Sequence, residues 1–368
     1  MLARVALGVW FLVVVYFGYL GVTDETIEND SRIYHIPIAQ SVLTGQVLTG
    51  EGYTSPFSFY PGTAEMILAV LMALGIPLNL FNVAGLVALT GLTYKLMQRA
   101  EVSKEGAVIA AVSVGLLPTV LRLPLTQLVD IWLAVWWVWW IYLLEKPLWK
   151  WKYWLVLGVV TGLLMGTKVS GLILIMTGGV FYGKSLLEAA GKEKLVGAGL
   201  LGVVVGGWWY LRNWLVTGNP MYPLDFLGFK GDSVSQLPIV WKFLLKDKGA
   251  VGMFLQALGS EFLGWVVAFV APLFARNKWI WLGIANTLIF LILPGSPGTI
   301  VSNMRYLLPA IIPLIIGIWK WAEERGRGEW LAVLSIINMA AVLPQFDYKP
   351  KIFIAAIGLF GLFLWKRK

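Results

Sequence analysis

The sequence has no cysteine and a single histidine, His35, in 368 residues. These absences exclude thiol nucleophiles, disulfide frameworks, cysteine-held metals and multi-histidine centres, so any metal would need carboxylate ligands. Charge is scarce too: Asp, Glu, Lys and Arg make up 13% of the chain and apolar residues 58%, against roughly 25% charge in an ordinary soluble domain. Apolar runs of near twenty residues recur from end to end, the pattern of a polytopic, all-α membrane protein. The first run, 2–22, is too long and uniformly apolar for a signal-peptide core and lacks a clear small-residue cleavage site after it. It reads as a retained first span.

Twelve apolar segments can be placed, near 2–22, 79–98, 105–121, 129–144, 152–167, 169–183, 194–212, 250–274, 278–294, 304–320, 330–345 and 351–365. A thirteenth candidate, 62–76, would reach only about 22 Å as a helix, short of a hydrocarbon core of about 30 Å. Several accepted segments are no longer, so the charges decide. With 62–76 in the interface, 18 of the 29 lysines and arginines fall on one side, which cytoplasmic loops favour; with 62–76 crossing, that side holds 11. The expectation is therefore about 12 spans (11–13), both termini inside, and a long first outer loop, 23–78, carrying interfacial helices. The net charge of +9 is then mostly topology, not a nucleic-acid footprint.

This topology puts the polar residues on one side. Asp30 and His35 fall in the first outer loop, in "ENDSRIYHIPIAQ", Asp130 at the next outer turn, and Lys168 where two spans meet. Arg212 ends the seventh span, Arg305 opens the tenth, and Glu261 lies inside the eighth. Ionised groups at membrane depth cost roughly 2.5 kcal/mol or more, so they usually face a cavity and mark function. Structural readings stand beside the functional ones. Asp30 also fits a cap for a helix beginning at Ser31, His35 an interfacial hydrogen-bonding residue, and Asp130 a cap for "IWLAVWWVWWIY" paired with Arg122. Lys168 also fits a snorkelling anchor, Arg305 a span-end anchor, and Glu261 an internal pair. The tryptophan cluster reads as lipid-facing or packing surface, and "GLLGVVVGG" (199–207) as close helix packing of small residues. "RNWLVTGNPMYP" (212–223) ends a helix in the turn formers Gly218, Asn219 and Pro220, and 218–249 is long enough for a lid.

Six motifs, in order, carry a family likeness: "DSRIYHIPIAQ" (30–40), "FSFYPGTAEM" (57–66), "LTQLVDIWLAVWW" (125–137), "GLLMGTKVSGLIL" (162–174), "RNWLVTGNPMYP" (212–223) and "RYLLPAIIP" (305–313). The sequence resembles the integral-membrane GT-C glycosyltransferases, in particular the prokaryotic branch related to the protein O-mannosyltransferases and the lipid A aminoarabinose transferase. The resemblance covers 1–225, a catalytic membrane module including the loop 23–78; 226–368 would be a variable outer loop and C-terminal helices. It implies a GT-C fold and transfer of a sugar from a polyprenyl phosphate to an acceptor at the outer face. It implies Asp30 as catalytic base, Asp130 as second acid, and Lys168 and Arg212 near the donor phosphate, with His35, Arg305 and Glu261 as further substrate-binding candidates. Ser31 stands where the protein mannosyltransferases usually have a second adjacent acid, which puts a protein acceptor in doubt.

The chemistry accounts for these residue types. A carboxylate within about 3 Å of the acceptor hydroxyl can take its proton, and fixed cations can stabilise the charge gathering on a leaving phosphate. One displacement step inverts the anomeric centre. No cofactor is expected; a divalent metal between Asp30 and Asp130 is possible but not favoured. The expected partners are a polyprenyl-phosphate sugar, a glycan, lipid or protein acceptor and membrane lipids, with no nucleic acid, in a prokaryotic plasma membrane. Two alternatives are a glycan ligase using a lipid-diphosphate donor and a lipid or sugar transporter with a charged cavity; a third is a non-catalytic binding or scaffold subunit.

Overall fold

The computed structural model of the chain describes residues 2–25, 27–147, 150–232, 239–246, 249–293 and 297–342. Among the described residues there is helix but no β-strand. Helix α1 (Leu2–Thr23) leads into a π-helical turn, Ser31–His35, which continues as α2 (Ile36–Thr44). A loop of turns then reaches α3 (Glu65–Ala73), followed by α4 (Phe81–Arg99), α5 (Lys104–Gly115), the single turn α6 (Pro118–Leu121), α7 (Asp130–Glu145) and α8 (Trp151–Thr167). Next come α9 (Val169–Gly202), broken at Gly191 where φ is 67°, and α10 (Trp208–Thr217). The last third holds α11 (Val240–Lys246), α12 (Ala250–Phe262) with a 3-10 continuation Leu263–Leu273, α13 (Lys278–Leu291), α14 (Ile300–Asn303), α15 (Leu308–Glu323) and α16 (Gly328–Val342).

Among the described residues six helical stretches are long and apolar enough to cross a membrane: Leu2–Thr23, Leu78–Arg99, Val169–Ala189, Gly191–Thr217, Ala250–Leu273 and Ile300–Glu323. The chain is an all-α membrane protein. Its surface agrees, since Val180, Leu215 and Leu273 stand 83%, 77% and 83% exposed, a display that a protein bathed in water avoids. The expected segments from 2–22 to 330–345 all have helical counterparts; 351–365 and the end of 330–345 lie outside the described residues. The doubtful segment 62–76 yields only the nine-residue α3, about 14 Å long and unable to cross by itself.

The core is α5, α6, α7 and α15, which are buried on almost every side. Trp132, Trp136, Trp137 and Trp140 are buried within it, so the tryptophan cluster is packing rather than lipid-facing surface. Trp137 Nε1 donates to Pro309 O at 3.1 Å and Trp140 Nε1 to Thr161 Oγ1 at 2.9 Å. The glycine reading of 199–207 is also seen: Gly158 faces Ala198, Gly162 faces Gly202 and Gly206 packs on Gly162 and Gly166. These pairs climb together along both helices, so α8 and the stretch after Gly191 run parallel, with backbones too close for any side chain larger than hydrogen at Gly206.

The helix ends gather at two poles. At one, Lys146 and Lys320 each reach Glu101 at 3.4 Å, Lys278 reaches Glu145 at 2.6 Å, and Ser103 Oγ donates to Glu323 Oε1 at 2.6 Å. The opposite pole collects Asp130, Lys168, Arg305, Arg122, Glu261 and Arg212.

Candidate functional site

The first loop is fastened to the entry of α7 by side-chain hydrogen bonds. Asn79 Nδ2 donates to Asp24 O at 2.6 Å, Gln127 Nε2 to Asn79 Oδ1 at 2.6 Å, and the Gln127 amide to Ser31 Oγ at 3.0 Å. Asn82 Nδ2 holds the carbonyls of Thr126 and Leu128 at 2.9 and 2.8 Å. Two stretches about a hundred residues apart are thus locked side by side, which brings the segments of Asp30 and Asp130 together.

Asp130 opens α7 and its side chain is only 3% exposed. Lys168 Nζ donates to its Oδ1 at 2.7 Å, and Arg305 Nε lies 2.9 Å from its Oδ2. Lys168 reaches it because this residue is extended, the one break between α8 and α9. It is therefore a paired ion rather than a snorkelling anchor. Its ammonium also sits 3.9 Å above the Tyr306 ring, and the Arg305 guanidinium 5.2 Å from the same ring. Arg122, expected beside Asp130, instead lies 2.5 Å from Glu261. α6 ends at Leu121 and packs on α12, which carries Glu261, so Arg122 points away from α7.

Asp30 does not act as a cap. Its side chain makes no capping bond, and Glu28 Oε2 takes that place, accepting from the Ser31 amide at 2.9 Å and from Ser31 Oγ at 3.1 Å. Asp30 is left half-buried, without a hydrogen bond or ion pair to any described residue. Tyr34, one turn on, connects it to the rest: it lies within electrostatic reach of Asp30, Asp130, Arg305 and Tyr306. Burial pushes the Tyr34 phenol well above its ordinary range, and its neighbour Tyr306 and the two acids add to this while Arg305 opposes. Burial, with Tyr306, also pushes Tyr60 up to about 12. Both phenols therefore stay hydrogen-bond donors near neutral pH. Tyr34, Phe57 and Tyr60 form one aromatic wall, with ring centroids 5.6 to 6.4 Å apart.

His35 is buried, its Nδ1 sharing a 2.7 Å hydrogen bond with Glu65 Oε1, and the Tyr34 ring lies 4.1 Å from its own. Arg212 belongs to a separate node. It donates to Phe59 O at 2.9 Å, Val47 O at 3.3 Å, Tyr53 Oη at 3.4 Å and Asn213 Oδ1, whose Nδ2 in turn holds Phe59 O and Tyr222 O. The expected turn follows, with Gly218 left-handed at φ 75° and Asn219 Nδ2 tying Leu224 O and Lys230 O. Residues 233–238 and 247–248 of the suggested lid lie outside the described residues.

Asp30, Asp130, Lys168, Arg305 and His35 thus share one neighbourhood; Arg212 and Glu261 each make their own contacts. Glu65, Tyr34, Tyr60 and Tyr306 were not picked out in the sequence. Glu65 carried a signal, an acid leading the otherwise apolar "EMILAVLMA"; the tyrosines, adjacent to motif charges, carried little. Among the described residues no group of three or more His, Asp or Glu side chains stands together as a metal site would require. Clefts of about 490 and 350 Å³ flank Trp321, away from Asp130.

Fold and composition define a helical integral-membrane protein with a buried acid shared by two cations at one pole. No model of a known protein family matches the chain, and no curated protein is significantly similar to it. The likeness to the GT-C transferases rests on the six motifs alone.

Proposed function

We propose that the protein is an inverting glycosyltransferase of the GT-C type, moving a sugar from a polyprenyl phosphate to an acceptor hydroxyl at the outer face of a prokaryotic plasma membrane. The observation that carries this reading is Asp130 shared by Lys168 and Arg305, beside an Asp30 that has no hydrogen-bond or ion-pair partner among the described residues. Two fixed cations on one carboxylate leave one positive charge in excess, which matches the single charge of a phosphodiester donor. As the bond from the sugar carbon to the phosphate oxygen breaks, the phosphate gains a second charge. Lys168 and Arg305, held together on Asp130, would meet that charge with little reorganisation, and removal of one such donor typically costs a hundredfold or more in rate. Asp30 takes the proton of the attacking hydroxyl, and Asp130 holds the two cations in place. Arg305 here takes the phosphate role first considered for Arg212, because the guanidinium of Arg212 is spent on Val47, Tyr53, Phe59 and Asn213.

In this reading the chain crosses about twelve times with both termini inside. The two poles support it, because the basic loops near 99–104, 145–152, 276–278 and 320–327 meet at one end and the candidate site at the other. The brevity of α3 supports an interfacial place for 62–76.

The test is incubation of the purified protein with a panel of polyprenyl-phosphate sugars and lipid or glycan acceptors, following free polyprenyl phosphate and the anomeric configuration of the product. Inverted product from wild type, absent with Asp30→Asn, is expected. Full activity in Asp30→Asn would sink the base assignment, and donor crossing the bilayer without covalent transfer would point to a transporter.

A further inference from the structure

Glu65 is 1% exposed and is the first residue of α3. One of its oxygens meets His35 Nδ1 at 2.7 Å, and the other, Oε2, is buried with no partner among the described residues. Helix capping does not account for it, since a serine or threonine there would serve without a buried charge. Burying an unpaired carboxylate is costly, although the field at the start of a helix eases that cost. His35 is the only described side chain that Glu65 bonds, so what Glu65 does for the molecule it does through this ring.

The ring itself is held firmly. Tyr34 lies against it at 4.1 Å and 40°, and His35 closes the π-helical turn Ser31–His35, a widened geometry often found at functional sites. Nδ1 is occupied by Glu65, whereas Nε2 makes no hydrogen bond to a described residue. His35 also lies within electrostatic reach of Asp130 and stands one turn after Asp30.

We propose that Glu65 is a positioning residue: its carboxylate accepts the Nδ1–H of His35, so that Nε2 presents an open lone pair to the Asp30 side of the site. A carboxylate at one ring nitrogen sets which tautomer the other presents, the same logic by which an aspartate orients the histidine of a serine hydrolase. An Nε2 lone pair accepts from a hydroxyl and cannot donate to a phosphate oxygen. His35 therefore recognises an acceptor hydroxyl beside Asp30, while the donor phosphate is left to Lys168 and Arg305. The assignment of that hydroxyl to the acceptor rests on the transferase reading; the tautomer does not.

Because His35 is the only histidine in the chain, 15N-histidine labelling reports one imidazole without assignment. The experiment is a 15N multiple-bond spectrum of the full-length protein in nanodiscs at about pH 8, above the ordinary histidine value of about 6.5. Wild type is expected to show protonated Nδ1 and unprotonated Nε2, and Glu65→Ala to shift the proton to Nε2. A wild-type spectrum with Nε2 protonated, alone or together with Nδ1, overturns the proposal, as does a Glu65→Ala spectrum identical to wild type. The wild-type spectrum decides even if Glu65→Ala fails to fold. In the transfer assay, Glu65→Ala should raise KM for the acceptor roughly 3- to 10-fold, the worth of one neutral hydrogen bond, with donor affinity unchanged. The spectrum needs neither donor nor turnover, so a failed tautomer assignment and a failed transferase reading remain separate results.

Discussion

Asp130→Asn removes a negative charge and almost no volume, so it isolates the electrostatic role of this side chain. The carboxylate is 3% exposed and lies against Lys168 and Arg305, themselves 29% and 14% exposed. Removing one partner of a buried pair costs about 3–5 kcal/mol, largely because the remaining charge is stranded. Asparagine keeps one carbonyl acceptor and Lys168 has an open path to water, which places the expected loss at the lower end, about 3 kcal/mol. At about 2–4 °C per kcal/mol for a large domain, the midpoint of thermal unfolding falls by roughly 6–12 °C. Asp30→Asn, by contrast, removes no side-chain hydrogen bond among the described residues and should stay within about 0.5 kcal/mol of wild type. Intrinsic tryptophan fluorescence of both variants in nanodiscs measures this, and Lys168→Met completes a double-mutant cycle. Asp130→Asn with Lys168→Met should be less damaging than the sum of the two by at least about 1 kcal/mol. Equal midpoints for Asp130→Asn and Asp30→Asn, or strict additivity in the cycle, would refute the reasoning.

Gly206→Ala puts a methyl on the Gly162 carbonyl and 2.9 Å from the Gly166 amide, so it should destabilise by about 1–3 kcal/mol or more; Gly197→Ala, which meets open space, should be neutral or stabilising, and thermal unfolding of the pair checks both. Arg212→Lys keeps the charge but cannot span Val47, Tyr53 and Phe59 with one ammonium, so limited proteolysis within 45–60 should accelerate severalfold while the 218–223 turn stays protected. Tyr60, raised to about 12 in the folded chain from an ordinary value of about 10, favours the fold fully below about pH 10, and this contribution is lost as pH rises through about 12. Tyrosinate absorbance at about pH 11 should therefore be nearly the same in Tyr60→Phe and wild type, and a clear drop in the variant would contradict the burial of this phenol.

Helix positions were legible because apolar length is a strong local signal, and 62–76, which the charge counts place in the interface, folds as the nine-residue α3. The pairing of charges was less legible. Arg122 lies eight residues from Asp130 in sequence, yet the turn α6 directs it to Glu261, a packing outcome with no local signature. Asp30 has a cap-like position before Ser31, but its own backbone is helical (φ −63°, ψ −35°) where a capping residue is extended, and Glu28 supplies the bond instead. The Glu65–His35 pair joins residues 30 apart across a turn-rich loop, and such a contact depends on tertiary packing that no periodicity records. The parallel course of α8 and the stretch after Gly191 was implied by alternate crossing, while its closeness came from a glycine ladder visible in "GLLGVVVGG".

The central claim is that Lys168 and Arg305 hold a phosphate beside an active Asp30. Native mass spectrometry of the purified protein with a panel of polyprenyl-phosphate and polyprenyl-diphosphate sugars tests it most directly, comparing wild type with Lys168→Ala and Asp30→Asn. Selective binding of one monophosphate donor, lost in Lys168→Ala and retained in Asp30→Asn, is the predicted result. No donor binding, or binding indifferent to Lys168, would contradict it.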